Sequence, residues 1–320
     1  MNVASITLPG AASCAPLRSP DKSDVKASFE WLQDEICDAL VQIDGKARFH
    51  EDRWSYHGGG GGRSRVMQDG DVFEKAGANC SAVRGVLPEE IAAKMRISTA
   101  PFFATGVSVV LHPLNPMVPA VHMNLRYFEQ TDGNRWFGGG TDLTPCYPFL
   151  EDVRHFHKTL QAVCARHDPS YYPRFKKCCD EYFFNKHRNE ARGVGGIFFD
   201  HLHSDPAADF AFVKDVGSGF LPAYVPIVEA RKAMPFGEQE RKFQLIRRAR
   251  YVEFNLVYDR GTAFGLATQG RVESILISMP PEASWPYDWS PEPGSREAEL
   301  SRFLIAQDWI GSEKTVRKTV

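Results

Sequence analysis

The 320-residue chain lacks any apolar run near the ~18–20 residues that a membrane-spanning helix needs. It lacks a surplus of charge. Its 38 Lys and Arg against 40 Asp and Glu leave a formal -2, which gives no electrostatic ground for binding nucleic acid or an anionic membrane. It lacks a cysteine framework. Seven cysteines (Cys14, Cys37, Cys80, Cys146, Cys164, Cys178 and Cys179) are odd in number, scattered and without a CxxC pair. That spacing excludes zinc ribbons and fingers and suits free thiols in a reducing compartment. No Gly-Lys-Ser/Thr follows the five glycines 58–62, no GxGxxG follows a strand, and there is no HExxH and no internal repeat. Before Asp21 there is no acid, only Arg18 is basic, and no secretory apolar segment stands out. Residues 1–27 therefore read as a disordered tail rather than a transit peptide.

What remains is an ordinary soluble composition, 43% hydrophobic and 24% charged, with room for one large domain over residues 28–320. Phe29, Leu32, Ile36 and Leu40 recur at helical steps, so Ser28 to Leu40 is expected to be an amphipathic helix. Trp54 to Val66, with its five glycines, reads as a mobile loop. Asp69-Gly70 between short apolar runs predicts a tight hairpin. Leu87 to Met95 predicts a short helix opened by Pro88. Phe149, Val153, Phe156, Leu160 and Val163 share one helical face. Further helices are expected over Tyr171 to Arg188, Asp205 to Phe220 and Gly237 to Arg250. Strands are expected over Gly106 to Leu111, Val121 to Phe128, Tyr251 to Asp259 and Arg271 to Met279. Strands that do not alternate strictly with helices suggest an α+β fold with a largely antiparallel sheet.

The most informative stretch is Val121 to Phe128, VHMNLRYF. Alternation along a strand sends Val121, Met123, Leu125 and Tyr127 to one side, and His122, Asn124, Arg126 and Phe128 to the other. An ordinary solvent-facing strand would alternate too, usually with Lys, Glu and Thr outward. An imidazole, an amide and a guanidinium suit a pocket for carboxylates or phosphates. RWFGGGTDLTPCY follows at 135–147. Asp142 at the end of this glycine-rich turn is either a turn cap or a buried carboxylate kept ionised by Arg126. Read as strands, YVEFNLVYDR puts Glu253 and Asn255 on one face, and RVESILIS does the same for Arg271 and Glu273. Repeated polar faces point to a polar cavity within one sheet.

Histidine ligands to a metal are the alternative. His112, His122, His157 and His187 could be gathered by folding, but no metal spacing is recognisable. On a helix His155 and His157 do not share a face. His157 lies roughly 70° from the centre of the apolar stripe and His155 roughly 130°, so His157 is the one expected to reach the interior.

The strings GGGGGRSRVMQDGDVFEKAG (58–77), GVSVVLHPLNP (106–116), VHMNLRYFE (121–129), WFGGGTDLTP (136–145), HFHKTL (155–160), FFNKHRNEARGVGGIFFD (183–200), YVEFNLVYDRGTAFGL (251–266) and RVESILISMPP (271–281) resemble the oxygen-dependent coproporphyrinogen III oxidases. The resemblance runs from about residue 28 to 310. It implies a large antiparallel sheet flanked by helices on both sides and a homodimer with contacts within 251–287. It implies oxidative decarboxylation of two propionates of coproporphyrinogen III to vinyls, giving protoporphyrinogen IX, with molecular oxygen and no organic cofactor. A divalent metal is contested in the family.

Position by position, the resemblance makes Ser108 a substrate contact and His122 the proton donor. It makes Asn124, Leu125 and Arg126 one substrate-binding tripeptide and Gln269, Gly270 and Arg271 a second. Asp142 would engage the pyrrole nitrogens. His112, His122, His157 and His187 match the histidines proposed as metal ligands in some members. Leu114 stands where the motif often has arginine, Gln269 where glycine or proline is common, and Tyr56-His57 where Arg-Glu is frequent. Relatives are cytosolic or mitochondrial, and the weakly basic tail favours the cytoplasm.

Overall fold

The computed structural model describes residues 19–311. Of the expected tail, residues 1–18 lie outside the described residues. Helix α1 begins at Lys22 and runs to Asp44, where Gly45 ends it in the left-handed region. It starts there because Asp21 and Asp24 form a reciprocal cap. The scaffold it packs on is a seven-stranded antiparallel sheet: β1 (His50–Ser55), β2 (Gly60–Gln68), β3 (Phe73–Gly85), β4 (Phe102–Pro113), β5 (Ala120–Gln130), β6 (Arg135–Thr144) and β9 (Gly195–Leu202), in that spatial order. A two-stranded ladder, β7 (Phe184–Asn185) with β8 (Glu190–Ala191), stands apart. With helices on both sides of the sheet, the fold is α+β.

One face of the sheet is apolar. Val107, Val109, Leu111, Val121, Met123, Leu125 and Leu143 pack there in one core with α1, α3 (Leu150–Ala165) and α5 (Pro206–Arg231). Helix-to-sheet contact is close: a Cβ on Gly217 of α5 would meet Leu32 at 2.5 Å and Leu125 at 3.1 Å. Helix α4 (Tyr171–Tyr182) lies beside β9, and the short α2 (Glu89–Met95) follows Pro88. Over the other face lie α6 (Glu238–Val257), α7 (Arg260–Ala267) and α8 (Val272–Ile275), with a 3-10 turn at Leu276–Ser278.

Several expectations need correction. The five glycines are not a mobile loop. Gly58 and Gly59 make a turn, and Gly60–Gly62 enter β2 opposite Trp54 and Ser55. The Trp54 indole lies across Gly62, where a Cβ would come within 2.2 Å of the ring, and it donates to Ser64 Oγ at 3.0 Å. Gly138–Gly140 are likewise not a turn but the middle of β6.

Tyr251 to Asp259 and Arg271 to Met279 are not strands. Helix α6 runs on to Val257, with Phe243, Ile246 and Phe254 buried while Leu256 and Val257 face outward. A short apolar, β-branched run has no period that separates strand from helix, and here the helix nucleated at Gly237 and Glu240 propagates through it. Glu253 and Asn255 therefore part ways. In α8 and the following turn, Ser274 bonds Ser64 at 2.7 Å and Ile277 sits over Gly77. The helix expected over Tyr171 to Arg188 stops at Tyr182, and the one from Asp205 runs on past Pro222 and Pro226 to Arg231.

Candidate active site

Antiparallel register aligns side chains into rows on the second face of the sheet. One row is Val66, Gly77, Val110, His122, Asp142 and Gly196. The next is Ser64, Asn79, Ser108, Asn124, Gly140 and Phe198. A third is Gly62, Ser81, Gly106, Arg126 and Gly138. The polar half of β5 thus belongs to a polar, glycine-rich floor, with Ser108 of β4 and Asp142 of β6 on the same side. Leu125 points the other way, into the core. Glycine keeps this floor low: a Cβ on Gly138 would meet Arg126 Nε and Asp200 Oδ1 at 2.8 Å.

At one end of the floor Asp142 is 1% exposed and all its acceptor positions are taken. Oδ1 accepts from His122 Nδ1 at 2.9 Å and from Arg192 Nη2 at 2.7 Å. Oδ2 accepts from Arg192 Nη2 at 2.8 Å and Nε at 3.2 Å. Burial alone would raise the Asp142 carboxyl, but the Arg192 guanidinium and His122 outweigh it and hold it below the usual carboxylate range. Burial pulls Arg192 down, and Asp142 more than restores it. Arg192 is enclosed by the rings of Phe183, Tyr251 and Phe254 and donates to Asn255 Oδ1 at 3.0 Å.

With Nδ1 engaged by Asp142, Nε2 is the His122 nitrogen left for a substrate. Its side chain is 20% exposed, so it is the accessible member of the cluster. Two rows away, Arg126 pairs with Asp200 at 2.9 Å over Phe198, and Arg260 approaches the same carboxylate at 3.6 Å.

The structure brings Ser108, His122, Asn124, Arg126 and Asp142 onto one surface. Arg271 reaches the far edge of the same face, where Asp52 is in register with Ser64. Arg271 forms an ion pair with Asp52 of the edge strand β1 at 2.5 Å, in the loop that follows Gln269 and Gly270. The four histidines are separate. His112 Nε2 bonds Ser278 O, and His157 lies buried between Tyr172 Oη and Val194 O. His187 bonds Tyr258 and Glu253, and His122 bonds Asp142. Among the described residues no group of three or more His, Cys, Asp and Glu is placed to hold a metal ion, so these four do not form a shared metal site.

Sequence reasoning passed over Arg192, Asp200 and Arg260. Arg192 carried one signal. A carboxylate inside a strand with glycines before it and apolar residues around it needs a buried cation, and the arginine ahead of Gly193-Val194-Gly195 was a candidate.

A family model described as coproporphyrinogen III oxidase matches residues 24–309. The chain belongs to that family. The family is one of oxidoreductases of haem biosynthesis that decarboxylate coproporphyrinogen III. The polar floor is where the family's motif strings converge: GVS on β4, NLR on β5, GGGTD on β6 and the arginine of ARGVGG beside them. No helix among the described residues is long and apolar enough to cross a membrane.

Proposed function

We propose that the chain is the oxygen-dependent enzyme, converting two propionates of coproporphyrinogen III to vinyls with dioxygen as electron acceptor and no organic cofactor. The observation that carries this reading is the His122–Asp142–Arg192 cluster, set on the same glycine-floored face as Arg126. Each propionate gives up two electrons, one proton and carbon dioxide to become a vinyl. Dioxygen takes the two electrons and two protons to become hydrogen peroxide, so each decarboxylation draws one further proton from solvent.

The residues supply position and protons. Arg126 is a bidentate donor for a propionate carboxylate, which would exchange with Asp200. Ser108 and Asn124 line the floor between Arg126 and His122. His122 Nε2 is placed to accept the proton that leaves the substrate and to return one to reduced oxygen, while Asp142 fixes its tautomer. Asp142, with no acceptor position free, acts through His122 and Arg192. The pyrrole N–H contact implied by the resemblance would require Arg192 to swing aside.

The same reading includes a homodimer. Leu256, Val257, Leu266, Val272, Trp285 and Tyr287 are between 45% and 100% exposed, all inside the 251–287 stretch. Exposed apolar side chains are what a protein interface covers.

Incubation of the purified enzyme with coproporphyrinogen III in air and under argon tests the reaction. The expected result is carbon dioxide and protoporphyrinogen IX only in air, with matching oxygen uptake. Equal conversion without oxygen would overturn the acceptor assignment.

A further inference from the structure

A recess beside the polar floor is unassigned by anything above. It is small and lined by His112, Thr144, Cys146, Arg247, Arg248 and Tyr251, among others. Its position follows from the fold: His112 ends the wet side of β4, Thr144 ends that of β6, and α6 closes over both with Gln244, Arg247, Arg248 and Tyr251. Tyr251 separates it from the Asp142–Arg192 pair.

The charges around it do not balance. Arg248 is 5% exposed, its Nη2 donates to Glu74 at 2.6 Å and to Pro113 O at 3.0 Å, and its Nη1 is buried with no partner among the described residues. Glu74 is shared with Arg241, which also reaches Glu282. Arg247 is matched by Glu190, and half-buried Lys75 donates to the backbone carbonyl of Met279 and pairs with no carboxylate among the described residues. Four cations, Lys75, Arg241, Arg247 and Arg248, thus meet three carboxylates, Glu74, Glu190 and Glu282.

The other titratable groups in the recess do not restore neutrality. Burial, with Arg248 and Lys75, brings His112 down to about 3. Burial pushes the Cys146 thiol up to about 11 and Tyr251 up to about 12. All three are uncharged near pH 7. A buried guanidinium N–H without an acceptor is destabilising, and native proteins seldom leave one so.

We propose that this recess is a binding site for one small monovalent anion, of the size of chloride or formate, held by Arg248 Nη1 with Thr144 as a second donor. A single negative charge there would cancel the local surplus and satisfy the orphan donor at once. A water would satisfy the donor alone. The site is separate from Arg126 and His122 and does not depend on the reaction proposed above.

Two experiments decide it. Crystals grown in sodium bromide should show an anomalous peak at hydrogen-bond distance from Arg248 Nη1. An ordered water there with no bromide peak overturns the proposal. In solution at constant ionic strength, replacing gluconate by chloride should raise the thermal midpoint by roughly 3 °C once chloride is about tenfold over its dissociation constant. Arg248→Gln should remove that rise, and a rise that survives the substitution overturns the proposal. Where Arg248→Gln does not fold, because Glu74 also loses a partner, the bromide peak alone is decisive.

Discussion

Asp142 and Arg192 face each other across the edge of the sheet at 2.7 Å, with 1% and 2% of their side chains exposed. Neither could be buried alone. Their pairing fixes His122 from behind and leaves its far nitrogen toward the floor on which Arg126 lies.

The first prediction concerns that pair. Arg192→Ala leaves a buried carboxylate without its cation, and should cost about 3–5 kcal/mol of stability. Arg192→Lys keeps the charge but loses the planar fork that serves Asp142 and Asn255 together. It should retain the fold and lose at least about a hundredfold in turnover, the scale of one preorganised electrostatic contact. Urea unfolding and steady-state decarboxylation check both, and near wild-type turnover in Arg192→Lys would remove the cluster from the mechanism.

Arg126→Ala should also lower turnover by at least about a hundredfold. Asp200→Asn should do the opposite to affinity. It frees Arg126 from its competitor, so the KM for the tetracarboxylate substrate should fall. An unchanged KM in Asp200→Asn would mean that the Arg126–Asp200 pair does not open for substrate.

Acid sensitivity should come partly from His112 and His157. Burial holds both down to about 3 in the folded protein, with Arg248 adding to the effect at His112 and Lys176 at His157. In the unfolded chain each takes up a proton below about 6.5. The unfolded state therefore binds more protons between roughly pH 6.5 and 3, and stability falls on acidification through that window, by up to ~1.4 kcal/mol per pH unit for each group. Asp142, held low, adds a loss only below about pH 4. Urea midpoints at pH 7, 6 and 5 should decline less steeply in His157→Gln than in wild type, and parallel slopes would contradict the assignment.

The exposed apolar residues of α6 and beyond predict assembly. Wild type should sediment as a dimer, and Leu256→Lys combined with Val257→Lys as a folded monomer, since both side chains are more than half exposed and contribute little to the protomer core. A monomeric wild type would contradict the proposed interface.

Much of this was legible beforehand because it rests on local periodicity. The two-residue alternation in VHMNLRYF placed His122, Asn124 and Arg126 on one face, and the three-to-four spacing from Phe149 placed His157 inside α3 and His155 outside. Two kinds of error had two causes. YVEFNLVY and RVESILIS are short and apolar on both helical and extended readings, and only the helix entering from Gly237 and the packing of Ile277 on Gly77 select among them. Runs of glycine read as turns because their need for space is invisible until Trp54 or the Arg126–Asp200 pair is seen lying across them.

By itself, then, the amino-acid order determined the faces of β5 and α3 and the family. Tertiary structure alone decided which charges meet. Asp142 pairs with Arg192 rather than Arg126, and Arg271 with Asp52. The reason is that a side chain's neighbours along the chain follow from backbone period, whereas an ion pair joins segments tens of residues apart, and its partner is set by which groups lose their water together.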